Sequence, residues 1–244
     1  MKSKFTALAL SALMLLSMTV VLDLSTDTVS AELPIGKPTY NIDYKNDTTP
    51  GNLKVTGFTI TNERFNGQVV IPDNYGGKPV TKIDIEAFKE SPKLISVSIG
   101  DNVYLISRSA FDGCTNLISV SIGSGVTTIS DYAFRDCSAL TSVVIPDSVE
   151  TIKERAFFSC TGLESVTIGN SVTKLGKYAF AGCNSLTSIT IPGSVTTFGE
   201  SVFSSCTALE SVTIESGVTT IGTGAFKDCT ALTSVKISCQ GVLF

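Results

Sequence analysis

The sequence predicts a parallel β-solenoid, a stack of short repeats in which each copy adds one turn to a continuous core. The first observation is a phenylalanine that recurs every 23 residues, at Phe88, Phe111, Phe134, Phe157, Phe180, Phe203 and Phe226. The second is that the same apolar frame surrounds each copy, without an insertion, from residue 80 to residue 240. The third is a short polar–apolar alternation in every copy, the pattern of a strand with one buried face. A fixed period of this length is the sequence signature of a solenoid.

Eight apolar positions in each repeat form the predicted core. In the fifth copy they are Val172, Leu175, Ala179, Phe180, Cys183, Leu186, Ile189 and Ile191. Burying a large apolar side chain contributes about 1.5–3 kcal/mol, whereas ordering the backbone costs about 1–2 kcal/mol for every residue. One repeat therefore cannot fold alone, and stacked copies stabilise each other by covering their open faces.

Two extended segments and a turn are expected within each repeat. Ser165 to Ile168 alternates as a short strand, and glycine or proline then turns the chain, as at Gly169 and Pro192. The Val-x-x-Ile segment is expected to return on the opposite side as a second short extended run. The Ala-Phe segment has room for only one turn, which predicts 3₁₀ or irregular structure. Equivalent segments then pair in parallel, about 4.8 Å apart.

The repeat resembles the BspA-like leucine-rich repeat, also called the Treponema pallidum type. That unit reads Leu-x-x-Ile-x-Ile-Pro, followed by Ile-Gly-x-x-Ala-Phe-x-x-Cys, and residues 186–192 and 179–183 follow its two halves. The resemblance covers about two thirds of the chain. Departures are Ser91, in place of cysteine, and Phe198 and Val202, in place of Ile and Ala. The resemblance implies a β-rich leucine-rich-repeat solenoid with few or no long helices and an N-terminal β cap.

Residues 1–31 are predicted to be a signal peptide. Lys2 and Lys4 precede an apolar run from Phe5 to Val21, and the small-residue pattern of residues 29–31 marks a cleavage site after Ala31. The alternative is an uncleaved anchor, which the run disfavours because it is shorter than the ~20 residues that span a bilayer. The mature chain is therefore expected to be secreted or held at the extracellular cell surface, with no membrane insertion after cleavage.

Residues 32–79 are expected to form a linker and the N-terminal cap. Residues 32–52 are rich in Pro, Asp, Asn and Thr and predict a loose linker. Residues 53–60 predict a strand, residues 69–72 a half repeat, and residues 74–79 a loop that leads into the first full repeat. Such a segment would cap the open end of the stack, as solenoids require.

Residues 80–240 hold the seven repeats, and residues 241–244 are expected to be a truncated or uncapped C-terminus. No polar cap follows Ile237, so the last repeat is expected to expose apolar side chains. Either a partner covers this end or the chain is part of a longer protein, and we favour the second interpretation.

Composition argues against several classes of function. The net charge of −4 and the pI near 4.9 predict no basic groove for nucleic acid. Histidine is absent, which removes the commonest general base and the commonest metal ligand. Glu150 and Glu154 alternate with Lys153 and Arg155, as on a solvated face, and no phosphate loop or calcium motif occurs. The sequence therefore predicts no catalytic residue, no metal site and no cofactor.

Six cysteines share one inward position in their repeats, and we call such a set of equivalent positions a column. They are Cys114, Cys137, Cys160, Cys183, Cys206 and Cys229. Their spacing does not match a zinc or redox site. Disulfides between neighbouring copies are disfavoured because the side chains run parallel about 5 Å apart, whereas a disulfide needs converging Cβ atoms about 3.8 Å apart. We expect buried thiols that act as small core residues, and only Cys239, outside this column, is expected to react or pair between molecules.

Two surface columns are candidates for contact with a ligand. The outward strand positions hold serine at Ser96, Ser119, Ser142, Ser165, Ser188, Ser211 and Ser234. We interpret these residues as small polar side chains that cover a flat exposed sheet. The alternatives are a hydroxyl surface that binds carbohydrate or peptide, and a surface that binds ice. The second column is the position directly before the Ala-Phe pair of each copy. It places Arg155 between Tyr132 and Tyr178, with Phe158 nearby. It is either local packing or a binding site of the hot-spot type.

Resemblance to BspA-like proteins implies adhesion or recognition. The expected ligand is a protein or glycan on a host cell, in the matrix or on a neighbouring cell. The alternative is a passive spacer that displays a domain absent from this chain. The third possibility, a secreted solenoid enzyme acting on polysaccharide, would need a cluster of acids and bases in one cleft, which the sequence does not indicate.

Overall fold

The computed structural model describes residues 40–61 and 63–238, so the predicted signal peptide, Cys239 and residues 241–244 lie outside it. Seventeen strands, and no helix, form within these ranges. In chain order they are β1 Tyr40–Asn46, β2 Leu53–Ile60, β3 Gln68–Ile71, β4 Asn74–Tyr75, β5 Lys78–Ile83, β6 Ser96–Ile99, β7 Leu105–Ile106, β8 Ser119–Ser121, β9 Thr128–Ile129, β10 Ser142–Val144, β11 Thr151–Ile152, β12 Ser165–Thr167, β13 Lys174–Leu175, β14 Ser188–Ile191, β15 Thr197–Phe198, β16 Ser211–Ile214 and β17 Ser234–Ile237.

The strands assemble into the predicted β-solenoid with parallel sheets. The Ser-Val-x-Ile strands form the front sheet, in the order β3-β6-β8-β10-β12 and then β14-β16-β17. The Val-x-x-Ile strands form the back sheet, in the order β5-β7-β9-β11-β13-β15. Pairing joins equivalent residues of successive copies, for example Ser142 with Ser165 and Thr151 with Lys174. The predicted fold class and the second extended run are therefore confirmed.

The front sheet is interrupted between the fourth and fifth copies. Among the described residues, no backbone hydrogen bond joins β12 to β14. Pro192, which follows β14, has no N–H, whereas Gly100 and Glu215 at the same place donate to the preceding copy at 2.9 and 3.0 Å. Pro146 of the third copy also lacks this donor, yet Ser142 of β10 still pairs with Ser119 of β8, so the proline alone does not explain the interruption. The back sheet continues across this junction, where β11 pairs with β13, so the interruption is confined to one side of the stack.

A column of stacked phenylalanine rings runs through the core. Successive centroids lie 4.9–5.8 Å apart and the planes are within 13° of parallel. The first six rings are fully buried, and Phe226, in the last described copy, is half-buried. This column follows from the 23-residue period, because identical backbone turns place identical side chains above one another.

The Ala-Phe segment is an irregular turn, one of the two expected alternatives, with a left-handed residue on each side of it. One left-handed column is Glu86, Ser109, Tyr132, Arg155, Tyr178, Ser201 and Gly224, with φ between 52° and 66°. The other is Glu90, Gly113, Asp136, Ser159, Gly182, Ser205 and Asp228. In this turn alternate N–H groups donate to the following copy, and those between them donate within their own copy. The amide of Phe134 donates to the carbonyl of Ala156 at 2.7 Å, whereas that of Arg135 donates to the carbonyl of Tyr132 at 3.1 Å.

Replacing Ser159 by glycine is expected to stabilise the protein by about 0.5 kcal/mol. Ser159 has a φ of 56°, where glycine lacks the steric penalty of a side chain, and Gly113 and Gly182 occupy the same position in other copies. Thermal unfolding followed by circular dichroism measures the change. Ser165→Gly is the matched control in extended β12 and should destabilise by about 0.5–1 kcal/mol. Destabilisation by both changes to the same extent would contradict the assigned turn geometry.

The N-terminal cap is more ordered than the sequence predicted. The expected linker is wrong from Tyr40 onwards, because residues 40–46 form β1, which pairs antiparallel with β2. The expected loop at residues 74–79 is also wrong, since β4 and β5 form a hairpin around Gly76 and Gly77, both with positive φ. The predictions for residues 53–60 and 69–72 agree with β2 and β3.

The cap also protects the open edge of the front sheet. The amide of Val70 on β3 donates to the hydroxyl of Tyr40 at 3.4 Å, and that of Gln68 donates to the side-chain oxygen of Asn66 at 3.1 Å. These contacts occupy donors that another strand could otherwise pair with. At the far side, Val235 and Ile237 of β17 are exposed, as expected for the last described copy.

Candidate binding surface

The cysteine column is part of the core and makes a repeated hydrogen bond. Cys114, Cys137, Cys160, Cys183 and Cys206 are fully buried and Cys229 is half-buried; all six are free thiols. Each Sγ donates to the phenylalanine carbonyl of the preceding copy, over 3.0–3.4 Å. The sequence predicted their size and burial but gave no indication of this bond. The column therefore satisfies a buried backbone acceptor and offers no reactive surface.

The three residues Tyr132, Arg155 and Tyr178 lie in one row on the turn side of the solenoid, and we call them the turn patch. The guanidinium of Arg155 lies 5.7 Å from the ring centroid of Tyr132 and 4.8 Å from that of Tyr178. Arg155 Nη1 also donates to Tyr132 Oη at 3.0 Å and to the carboxylate of Glu154. The spacing of one residue per copy therefore produces the predicted stack.

The left-handed turn sets the direction of these side chains. The amides of Tyr132, Arg155 and Tyr178 donate to carbonyls of the next copy at 3.0, 2.9 and 3.0 Å. Because every turn is held in the same way, the three Cα–Cβ bonds leave the backbone in the same orientation. The turn patch is half-buried and fixed by contacts on both sides.

Two further cations extend the turn patch, and neither was predicted from the sequence. Arg135 lies 5.3 Å from the Tyr132 centroid, and Lys177 lies 5.1 Å from the Tyr178 centroid. Each occupies a different column of the repeat from the tyrosine that it contacts. The available signal was local: Arg135 follows Tyr132 by three residues, and Lys177 directly precedes Tyr178.

Each cation of this surface is also paired with a carboxylate. Arg135 forms a two-pronged ion pair with the buried Asp112, at 2.8 Å for both contacts, and Lys177 lies 2.8 Å from Glu200. The Asp112–Arg135 contact raises the pKa of Arg135 further above its ordinary value, because the charged form donates to a carboxylate. These pairs hold the cations in place, so the surface is pre-ordered, which lowers the entropy cost of binding.

Phe158 lies beside the turn patch, three residues after Arg155, and its amide donates to the Arg155 carbonyl at 3.2 Å. It is half-buried and occupies the column of Arg135, in which other copies hold Lys89, Asp112, Ala181, Ser204 and Lys227. Within the described residues, no ring contact joins Phe158 to either tyrosine of the turn patch. The structure therefore brings Tyr132, Arg155 and Tyr178 into side-chain contact, and it joins Phe158 to Arg155 through the backbone.

The serine column lies on the outer face of the front sheet. Most of its members are exposed, and Val144 stands 63% exposed in the neighbouring column. Many threonine hydroxyls along the back sheet are used internally; for example, Thr173 Oγ1 donates to the carbonyl of Glu150 at 3.2 Å. Hydroxyl groups thus cover both sheets, and some of them also support the stacking of copies.

Chemical groups for catalysis do not converge in the part of the chain described. No group of three or more His, Cys, Asp or Glu side chains there could hold a metal ion. No helix among these residues is long and apolar enough to span a membrane. A cavity at the junction of the cap and the first repeats is lined mainly by apolar side chains.

These features define a parallel β-solenoid repeat protein with a thiol-lined core and an ordered surface patch of cations and aromatic rings. The family model described as a BspA type leucine rich repeat region (6 copies) matches residues 81–167 and 127–242. The chain therefore belongs to the BspA-type leucine-rich repeat family, which is a bacterial surface-type family. No curated protein gives a significant sequence match.

Solved structures share the fold at low sequence identity. The leucine-rich repeat protein of T. pallidum is 23% identical, with a TM-score of 0.56 over 80% of this chain and 78% of that chain. The pneumococcal vaccine antigen PcpA is 18% identical, with a TM-score of 0.56 over 83% of this chain and 69% of that chain. Identities this low support the fold alone.

Proposed function

We propose that this chain is a non-catalytic recognition module, secreted or displayed on a bacterial surface, that binds a protein or glycan on a host or neighbouring cell. The observation that carries the proposal is the turn patch. Aromatic and arginine side chains that are already ordered are the usual anchors of binding sites. The membership of a bacterial surface-type family supports the location.

The repeats provide an internal control for this interpretation. The position held by Tyr132, Arg155 and Tyr178 holds glutamate, serine or glycine in the other four copies, with the same left-handed backbone. Tyrosine and arginine are therefore not required by the turn. Their concentration in three consecutive copies supports a role at the surface. A passive spacer would need no such cluster, and an enzyme would need groups that the described residues do not bring together.

Binding to immobilised matrix proteins and glycans tests the proposal. The mature chain, residues 32–244, is expected to bind at least one member saturably, and Tyr132→Ala/Arg155→Ala/Tyr178→Ala is expected to weaken that binding at least tenfold. The matched control is Glu86→Ala, at the same turn position two copies before Tyr132. Thermal unfolding of each variant checks that the fold is kept.

Three outcomes are distinguishable. Loss of binding in the triple variant alone would support the turn patch. Saturable binding that survives the triple change would keep the recognition function and contradict this location. A folded protein that binds nothing in the array would favour the spacer.

A further inference from the structure

A groove of about 610 Å³ lies where the cap meets the first three repeats. It runs along the bend of the chain that directly precedes the front-sheet strands β6 and β8, and it shares no residue with the turn patch. Phe65 of the cap, Pro92 and Ile95 of the first copy, and Ile118 of the second copy provide most of its apolar wall. Ile95 and Ile118 are 41% and 47% exposed.

The repeats show that the fold does not require Ile118. Its position is exposed in all seven copies, and from the third copy onwards it holds Thr141, Glu164, Thr187, Glu210 and Thr233. Because these five copies form the same bend with polar residues, a branched apolar residue is not needed to build it. Ile118 leaves 47% of its surface exposed within a concave lining that also holds Ile95 and Phe65, and an exposed apolar cluster in a groove is typical of a binding site.

The apolar wall is held rigidly by the cap. The amide of Ile95 donates to the carbonyl of Gly67 at 2.7 Å, and any side chain at Gly67 would overlap Ile95. The ring of Phe65 lies 5.6 Å from both Tyr40 and Phe58. The groove is therefore already formed in the unbound protein.

The polar groups of the lining indicate the chemistry of the occupant. Lys93 is the one charged residue among the lining residues, and no carboxylate accompanies it there. Asn116 donates its side-chain N–H to the carbonyl of Pro92 at 2.7 Å, which fixes an amide beside Ile118. Aliphatic walls select an apolar side chain, an amide can pair with a peptide backbone, and the ammonium favours a neighbouring carboxylate.

We propose that this groove binds an extended peptide segment of a partner protein in which aliphatic side chains alternate with carboxylates. Ile95 and Ile118 contact the aliphatic side chains, and Lys93 contacts a carboxylate. Alternate residues of an extended segment point to the same side, so its aliphatic face can enter the groove while the acidic residues lie at the rim.

Methyl NMR of the mature chain tests this proposal, with ¹³C-labelled isoleucine methyl groups as the reporters. The probes are acetyl-Leu-Glu-Leu-Glu-Leu-amide and its matched peptide, acetyl-Leu-Lys-Leu-Lys-Leu-amide. We expect the acidic peptide to shift the Ile95 and Ile118 signals saturably, with at least fivefold tighter binding than the basic peptide. Lys93→Glu is expected to reverse this preference.

Ile118→Thr introduces the residue that the third copy carries and is expected to abolish the shift at Ile95. Thr187→Ala, at the same position of the fifth copy, is the matched control and should bind as the unchanged chain does. Equal affinity for both peptides, binding that survives Ile118→Thr, or no shift at millimolar peptide would overturn the proposal. So would concentration-dependent shifts without peptide, because they would assign the groove to a second copy of the chain.

Discussion

Replacing Phe157 by alanine is expected to lower the free energy of unfolding by about 3–5 kcal/mol. Its ring is fully buried, and the centroids of the Phe134 and Phe180 rings both lie 5.1 Å away. The amide of Phe157 donates to the carbonyl of Ala179 at 2.8 Å, so the backbone cannot collapse to fill the space. The cost is thus the lost burial together with a cavity in the middle of the stack. Urea unfolding followed by circular dichroism measures it.

Phe158→Ala is the matched control for this prediction. Phe158 is the next residue, has the same side chain and is half-buried outside the ring column. Its replacement is expected to cost less than about 1 kcal/mol, as is usual for surface positions. Equal losses for the two variants would show that the ring column is not the main source of stability in this region.

The part of the fold that repeats was predictable because the same physical requirement appears seven times in the sequence. A single Ser-Val-x-Ile segment is weak evidence for a strand, but seven copies in register also predict parallel pairing. The cap has no such repetition. In β1, Tyr40, Ile42 and Tyr44 alternate with polar residues, yet the surrounding Asn, Asp and Pro favoured a linker. Pairing with β2 overrides that local composition.

The turn patch was predictable only where its contacts follow the repeat period. Arg155 lies between Tyr132 and Tyr178 because these residues hold the same place in successive copies. Arg135 and Lys177 reach the same rings from other columns, which depends on the left-handed turn and on side-chain conformations. Glycine indicates the left-handed position in a few copies, whereas tyrosine and arginine there give no sequence signal of it.

The groove illustrates how departures from the repeat carry information. Positions that every copy shares, such as the core phenylalanine, are explained by the fold. Ile118 departs from the polar residues of the later copies at an exposed position, and only the structure shows that it lines a concave surface with Phe65. In this protein, function is therefore best inferred from exposed residues that differ from those at the same position in the other copies.

Raising the pH from 9 to 10.5 is expected to lower the free energy of unfolding by about 3 kcal/mol through the buried thiols of Cys114 and Cys160 alone. Burial raises the pKa of Cys114 to about 12 and raises the pKa values of Cys137 and Cys160 well above the ordinary thiol value of 9.0. Between pH 9 and 10.5 these thiols keep their protons in the folded chain and lose them in the unfolded chain. The unfolded state then binds fewer protons, so stability is full below pH 9 and falls as the pH rises.

Urea unfolding at pH 8, 9, 10 and 10.5, with a reductant present, measures this loss. The matched variant is Cys160→Ala, which keeps a small residue in the column and removes one titrating group. Its stability is expected to fall by about 1–2 kcal/mol less than that of the unchanged chain over the same pH interval. Tyrosine and lysine titrate equally in both proteins, so the difference between the two slopes isolates the thiol. Identical slopes would mean that the cysteine column does not set the alkaline limit of stability.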